Sequence, residues 1–177
     1  MQSAKLRLLH FCILNWRLSF VEILSLKTML NKEDKIIIYT DGGSRGNPGP
    51  AAFGYVIQDA EGKALKRHGE AIGKATNNEA EYRAVVAALK KAKQMLGKEK
   101  LKQTRIEVRM DSELAVEQLS GRYKIENEKL QPLFMEIWNL RVELGGNISF
   151  MHIPREQNKE ADRMVNEALD TEQKGLF

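Results

Sequence analysis

Ile36-Ile37-Ile38-Tyr39-Thr40-Asp41-Gly42-Gly43-Ser44-Arg45-Gly46-Asn47-Pro48-Gly49-Pro50 is the stretch from which the fold is read. Its first half is apolar and β-branched, which predicts a buried strand over about 35–41. Asp41 closes that strand, so its carboxylate is expected at a sheet edge, where open α/β sheets place their chemistry. A glycine-rich turn is expected to start at once. Glycines 42, 43, 46 and 49 would let the backbone approach a bulky anionic ligand, and Pro48 and Pro50 would fix the exit of the loop.

Working outward, Ala52-Phe53-Gly54-Tyr55-Val56-Ile57-Gln58 reads as a second strand, and Asp59-Ala60-Glu61-Gly62-Lys63 as a hairpin turn into a third strand near 64–73. Thr76-Asn77-Asn78 supplies capping residues for a long helix. The helix keeps Ala80, Ala84, Val85, Ala88, Leu89, Ala92 and Leu96 at helical spacing and stops at Gly97. Ile106-Glu107-Val108-Arg109-Met110 alternates as a strand and runs into Asp111-Ser112, a natural cap for a helix near 112–120. A helix near 126–144 carries Leu130, Leu133, Phe134, Ile137, Trp138, Leu140 and Val142, with Trp138 expected in the core. A fifth strand near 147–153 and a last helix near 158–170 complete the order β-β-β-α-β-α-α-β-α. Short turns make the first three strands an antiparallel meander, and the longer helical connections allow parallel pairing afterwards. The fold class is α/β, a mixed five-stranded sheet flanked by helices.

The chain has 177 residues, 42% apolar content and a net charge of +4, enough for one sizeable core and too mildly basic to identify a polyanion partner by itself. Lys5, Arg7, Arg17 and Lys27 against Glu22 place +3 of that charge in residues 1–30, leaving +1 for the rest. Basic residues between Arg83 and Arg109, among them Lys90, Lys91 and Lys93, form a second cluster. It suits a polyanion lying across the surface or, more plainly, a solvated helix face. Cys12 is the only cysteine, which excludes an intrachain disulfide and a cysteine-based zinc site and fits a reducing, cytoplasmic setting. No apolar run of membrane-spanning length is present. Residues 1–30 lack turn or cap logic linking them to the strand at 36. The expected organisation is an extension over 1–30, with translation starting at Met29, a domain over 31–171 and a tail over 172–177.

Asp41, Glu81, Asp111 and Asp162 are the candidate chemistry. Two stand at strand ends and two near helix starts, elements that can meet at one rim of the sheet. Each has an ordinary role when taken alone: a turn former, a cap, an exposed helix charge. Four clustered carboxylates repel one another unless cations sit among them, and hard oxygen ligands favour Mg²⁺ or Mn²⁺. Two such ions sharing carboxylates suit in-line phosphoryl displacement.

Tyr39-Thr40-Asp41-Gly42-Gly43, Gly46-Asn47-Pro48-Gly49-Pro50, Thr76-Asn77-Asn78-Glu79-Ala80-Glu81, Asp111-Ser112 and Asn158-Lys159-Glu160-Ala161-Asp162 occur in this order. Over about 35–170 the chain resembles type 1 ribonuclease H. The resemblance implies the ribonuclease H-like fold and an endonuclease that hydrolyses the RNA strand of an RNA–DNA hybrid with two Mg²⁺ ions, with Mn²⁺ as a substitute. The products would carry 5′-phosphate and 3′-hydroxyl ends. It also implies Asp41, Glu81, Asp111 and Asp162 as catalytic metal ligands, with Glu81 rather than Glu79 as the glutamate that contacts the ribose 2′-hydroxyl. Gly42, Gly43, Asn47, Asn77 and Asn78 would meet the hybrid, and Thr76 a phosphate of the DNA strand. The loop that bears a histidine in many members is shortened here to His152-Ile153-Pro154-Arg155-Glu156-Gln157-Asn158. His152 falls in the strand, and Arg155 or Glu156 is expected in its place. Residues 120–129 leave no room for the basic, tryptophan-bearing handle of many members. The expected partner is the hybrid alone, bound by a monomer with no membrane and no obligate protein partner. Two rivals stand beside this reading: a module that binds hybrid or double-stranded RNA and cuts poorly, and a nuclease of broader specificity.

Overall fold

The computed structural model describes residues 35–174 apart from Lys102. The expectations for residues 1–30, including a start at Met29, lie outside the described residues. Five strands form one sheet: β1 Lys35–Ser44, β2 Gly49–Asp59, β3 Ala64–Ala75, β4 Arg105–Met110 and β5 Ile148–His152, in the spatial order β3-β2-β1-β4-β5. The β1–β2 and β2–β3 pairs are antiparallel, whereas β1–β4 and β4–β5 are parallel. The helices are α1 Asn77–Leu101, α2 Glu113–Leu119, α3 Gln131–Glu143 and α4 Lys159–Lys174, with a short 3₁₀ turn at Arg155–Gln157 before α4.

The core forms because alternate residues of the strands face α1. Ile36, Ile38, Phe53, Tyr55, Ile57, Ile106 and Val108 pack with Tyr82, Val85, Leu89 and Ala92 of that helix. Helices α2 and α3 close the same core through Val116, Leu119, Ile137 and Leu140. On the opposite face, Ala52 of β2 meets Val165 and Leu169 of α4. On the α1 face of β1, Ile36, Ile38 and Thr40 are buried, while on the other face Ile37 and Tyr39 are half-buried.

Several boundaries differ from the sequence reading. Strand β1 runs on to Ser44, pairing Gly42, Gly43 and Ser44 with Phe53, Ala52 and Ala51, so the turn begins at Arg45. Gly97 breaks α1 with φ 69° and ψ 167°, yet helical turns resume as far as Leu101. Helix α3 starts at Gln131 rather than near 126. Upstream, Asn127 forms a local turn in which its side chain accepts from Lys129 N at 3.0 Å and its carbonyl from Leu130 N at 3.0 Å. Such Asx geometry competes with helix. Trp138 is not in the core. It is 48% exposed, because Ile137, Leu140 and Leu144 already supply the inward face of α3. Phe134 stacks beside the indole with ring centroids 6.4 Å apart, and the Arg141 guanidinium lies 5.7 Å from its ring centre. Helix α4 continues to Lys174, into the expected tail.

Candidate active site

The parallel β1–β4 pair sets the site. Tyr39 is in register with Arg109, so Asp41 and Asp111 stand equally far along two neighbouring strands. Beyond that point β4 ends, while β1 continues alongside β2. The divergence opens a cleft outside the carboxyl end of β4, where parallel sheets expose backbone and side chains to a ligand.

Glu81 arrives from α1, which crosses β1 at van der Waals contact. A Cβ at position 42 would stand 2.2 Å from Glu81 N and 2.3 Å from Ala80 C, so only glycine permits this crossing. Besides the ligand approach expected of it, Gly42 lines the depression and also carries this helix crossing. The helix start is held by a capping box. Thr76 Oγ1 accepts from Glu79 N at 3.2 Å, and Glu79 Oε2 accepts from Thr76 N at 2.9 Å and Thr76 Oγ1 at 2.8 Å. The Thr76 amide bond holds the Glu79 carboxyl below its ordinary value. Glu79 is thus engaged at the cap, and Glu81, two residues on, reaches the cleft.

Helix α4 brings Asp162 to the same rim by pressing on glycines of the opposite sheet face. A Cβ at Gly54 would lie 2.6 Å from Ala161 O, and one at Gly69 would lie 2.2 Å from Met164 O. A depression of about 340 Å³ is lined by Asp41, Gly42, Gly43, Asn77, Glu81, Asp111, Arg155 and Asp162 among others.

Within it, one oxygen from each of Asp41, Glu81 and Asp111 lies within 4.8 Å of the others. Asp41 is 8% exposed and Glu81 9%. Burial first, then the charges of Asp111 and Asp162, push the Asp41 carboxyl up from 3.8 to about 6. Burial, then Asp41 and Asp111, push Glu81 well above its ordinary value. Asp41 Oδ1 accepts from Gly42 N at 2.9 Å, and among the described residues no donor reaches the buried Glu81 Oε2. Such a set is stable only with bound protons or bound cations, and its all-oxygen donors fit a hard divalent ion.

Asp162 is held differently. Its Oδ1 accepts from Arg155 Nη2 at 2.9 Å and its Oδ2 from Asn166 Nδ2 at 3.0 Å. The structure therefore brings three of the four expected carboxylates together and leaves the fourth on the rim, paired with Arg155. His152 is exposed at the end of the edge strand β5.

The other expected contacts brace the loop after β1. Asn77 Oδ1 accepts from Ser44 N at 2.8 Å and Ser44 Oγ at 2.7 Å, and Asn47 Oδ1 accepts from Asn77 N at 3.2 Å. Asn78 is exposed, and a Cβ at Gly43 would meet Val165 Cγ1 at 3.5 Å, an ordinary contact distance. The Thr76 hydroxyl is engaged in the cap. Arg45 is tied to Asp170 and Gln173 of α4, an anchor that the sequence reading did not include. It also gave no separate role to Asn158, which is 1% exposed and donates to both Thr40 O and Asp111 Oδ1. The signal was present in the Asn158–Asp162 motif but was absorbed by its aspartate.

A family model described as "Reverse transcriptase-like" matches residues 39–168. The chain is similar to the solved LC11-RNase H1, isolated from compost. A structure of that protein in complex with an RNA/DNA hybrid shares 48% identity and a TM-score of 0.75, covering 78% of this chain and 99% of that one. The chain belongs to the ribonuclease H1 family. Ribonuclease HI of Halobacterium salinarum is 39% identical over 77% of this chain and 65% of its own length. A bifunctional protein of Mycobacterium tuberculosis, Rv2228c, is 43% identical over 77% of this chain, which spans 36% of that longer protein. As a ribonuclease H1 relative, the chain gathers Asp41 of β1, Asp111 just past β4 and Glu81 of α1 into one acidic cluster.

Proposed function

We propose that the protein is an endonuclease that hydrolyses the RNA strand of RNA–DNA hybrids, leaving 5′-phosphate and 3′-hydroxyl ends. The observation that carries this reading is the convergence of three carboxylates within 4.8 Å at the mouth of the β1–β4 cleft. Its support is membership of a family in which LC11-RNase H1 has been solved with a hybrid bound.

Asp41, Glu81 and Asp111 would hold divalent cations, Mg²⁺ or Mn²⁺, and Asp162 would join them from the rim when Arg155 releases it. Two bound ions would supply activation of a water and charge neutralisation at the leaving oxygen. The protein's own groups do the rest. The buried carboxylates give the site an acidic, all-oxygen floor that protons or cations must stabilise. Glu81, with its unpartnered Oε2, is placed to accept from a ribose 2′-hydroxyl, the group that separates RNA from DNA. Gly42, Gly43, Asn47, Asn77 and Asn78 line the approach for the hybrid, with Thr76 at a phosphate of the DNA strand. Arg155, on its exposed turn, offers a guanidinium to a backbone phosphate once freed from Asp162. The working unit is a cytoplasmic monomer; among the described residues no helix is long and apolar enough to cross a membrane.

The test presents a 5′-labelled RNA strand alone, in an RNA duplex and in an RNA–DNA hybrid, each with Mg²⁺, Mn²⁺ or EDTA and with Asp111→Asn as control. Metal-dependent cutting of the hybrid that is lost in the variant supports the proposal. Cutting of the RNA duplex as well widens its specificity, and binding without cutting overturns it.

A further inference from the structure

We propose that Asn158 is a positioning residue that fixes the Asp111 carboxylate against Asp41 and thereby sets the affinity of the site for divalent cations. This rests on reading the acidic cluster as a metal site. The side chain is 1% exposed, at the junction of three elements that carry carboxylates. Its Nδ2 donates to Thr40 O at 2.9 Å, the carbonyl immediately before Asp41 in β1. The same nitrogen donates to Asp111 Oδ1 at 3.1 Å, just past β4. Its backbone carbonyl accepts from Asp162 N at 3.1 Å, in the first turn of α4. One residue thus joins the carriers of Asp41, Asp111 and Asp162.

The chemistry explains why an amide stands here. A neutral donor holds one oxygen of Asp111 and orients the carboxylate plane, leaving the other oxygen for an ion. A cationic donor at the same place would neutralise the floor and compete with the ion. A carboxylate there would, when ionised, repel Asp111 and lose the bond. Gly42 N performs the same service for Asp41, through a backbone donor that every substitution except proline retains. For Asp111 the service falls to a side chain, so it can be tested. Partners that orient metal ligands are worth about 10- to 100-fold in metal affinity.

Mn²⁺ binding to the full chain is measured by titration calorimetry for wild type, Asn158→Ala, the nearly isosteric Asn158→Asp, Asp111→Asn and the double variant Asn158→Ala/Asp111→Asn. Thermal melts of each are recorded without metal. The expected result is a dissociation constant raised about 10- to 100-fold in Asn158→Ala, a weakening also in Asn158→Asp at pH 8, and little further loss when Asn158→Ala is added to Asp111→Asn. In the hybrid-cleavage assay the Mn²⁺ midpoint should shift upward, with turnover largely regained at saturating Mn²⁺. Variants that melt lower but bind Mn²⁺ like wild type show a structural residue only and overturn the inference. Tighter binding in Asn158→Asp overturns it too, since the residue would then be a missing ligand position. Failure of wild type to bind Mn²⁺ at all would instead remove the metal-site reading on which it stands.

Discussion

Asp41 and Glu81 hold their protons well above the ordinary carboxylate range, and that has a measurable cost in the metal-free protein. Between 3.8, the ordinary value, and about 6, the folded value for Asp41, the folded state binds more protons than the unfolded one. The contribution of Asp41 to stability is thus full at low pH and falls as pH rises through that window, by about 3 kcal/mol in total. Glu81 acts in the same direction. Melting temperatures of metal-free wild type and Asp41→Asn, taken from pH 4 to 8, should diverge in the variant's favour as pH rises. Added Mg²⁺ should recover the loss most at the alkaline end, because ion and protons compete for the same oxygens. Asp111→Asn removes one of the mutual repulsions, so it should melt no lower than wild type without metal. Hybrid cleavage should nevertheless fall by at least about 100-fold, as read from single-turnover rates. A variant with near-normal rates would exclude Asp111 from the chemistry.

The packing of whole elements places those residues. Glu81 enters the cleft only because α1 crosses β1 over a bare Cα at Gly42, where an added methyl group would meet backbone rather than a flexible side chain. Gly42→Ala should therefore destabilise by about 3 kcal/mol or more, or displace the helix and with it the glutamate. Urea unfolding and Mn²⁺ titration would separate the two outcomes. The Thr76–Glu79 box sets the phase of the same helix, and Thr76→Ala should cost about 1 kcal/mol, seen as a shift of the urea midpoint. How these elements were legible in the sequence differs case by case. Thr76-Asn77-Asn78 followed by residues at helical spacing marked the start of α1, so Glu81 could be placed one turn in. The start of α3 was not legible, because the Asn127 turn competes locally with a helix that the apolar spacing alone would extend back to 126. Trp138 shares the helical spacing of Ile137 and Leu140 closely enough to look buried. Only the packing of α3 against α1 reveals which side of the helix faces out.

At the scale of the whole molecule, the sheet, its two helical faces and the acidic cleft all lie within residues 35–174. A chain starting at Met29 should therefore fold, run as a monomer in analytical ultracentrifugation and cleave hybrid at the full-length rate. A large loss of rate or stability would give residues 1–28 a role in the enzyme. The basic segment of α1 is partly neutralised in place, as Lys90 reaches Glu136 at 2.6 Å and Lys93 reaches Glu143 at 2.8 Å across to α3. By itself the sequence determined the five strands and their order, the placement of Asp41 on the first strand and of Asp111 just past the fourth, and the helical placement of Glu81. Alternation, capping residues and turn residues act over a few neighbours, so they can be read along the chain. Tertiary structure alone decided that α1 needs Gly42, that Asp162 stands apart with Arg155, that Trp138 faces solvent and that Asn158 ties β1 to β4. Most of these depend on atoms far apart in sequence meeting across a packed interface, and no local pattern encodes such a distance.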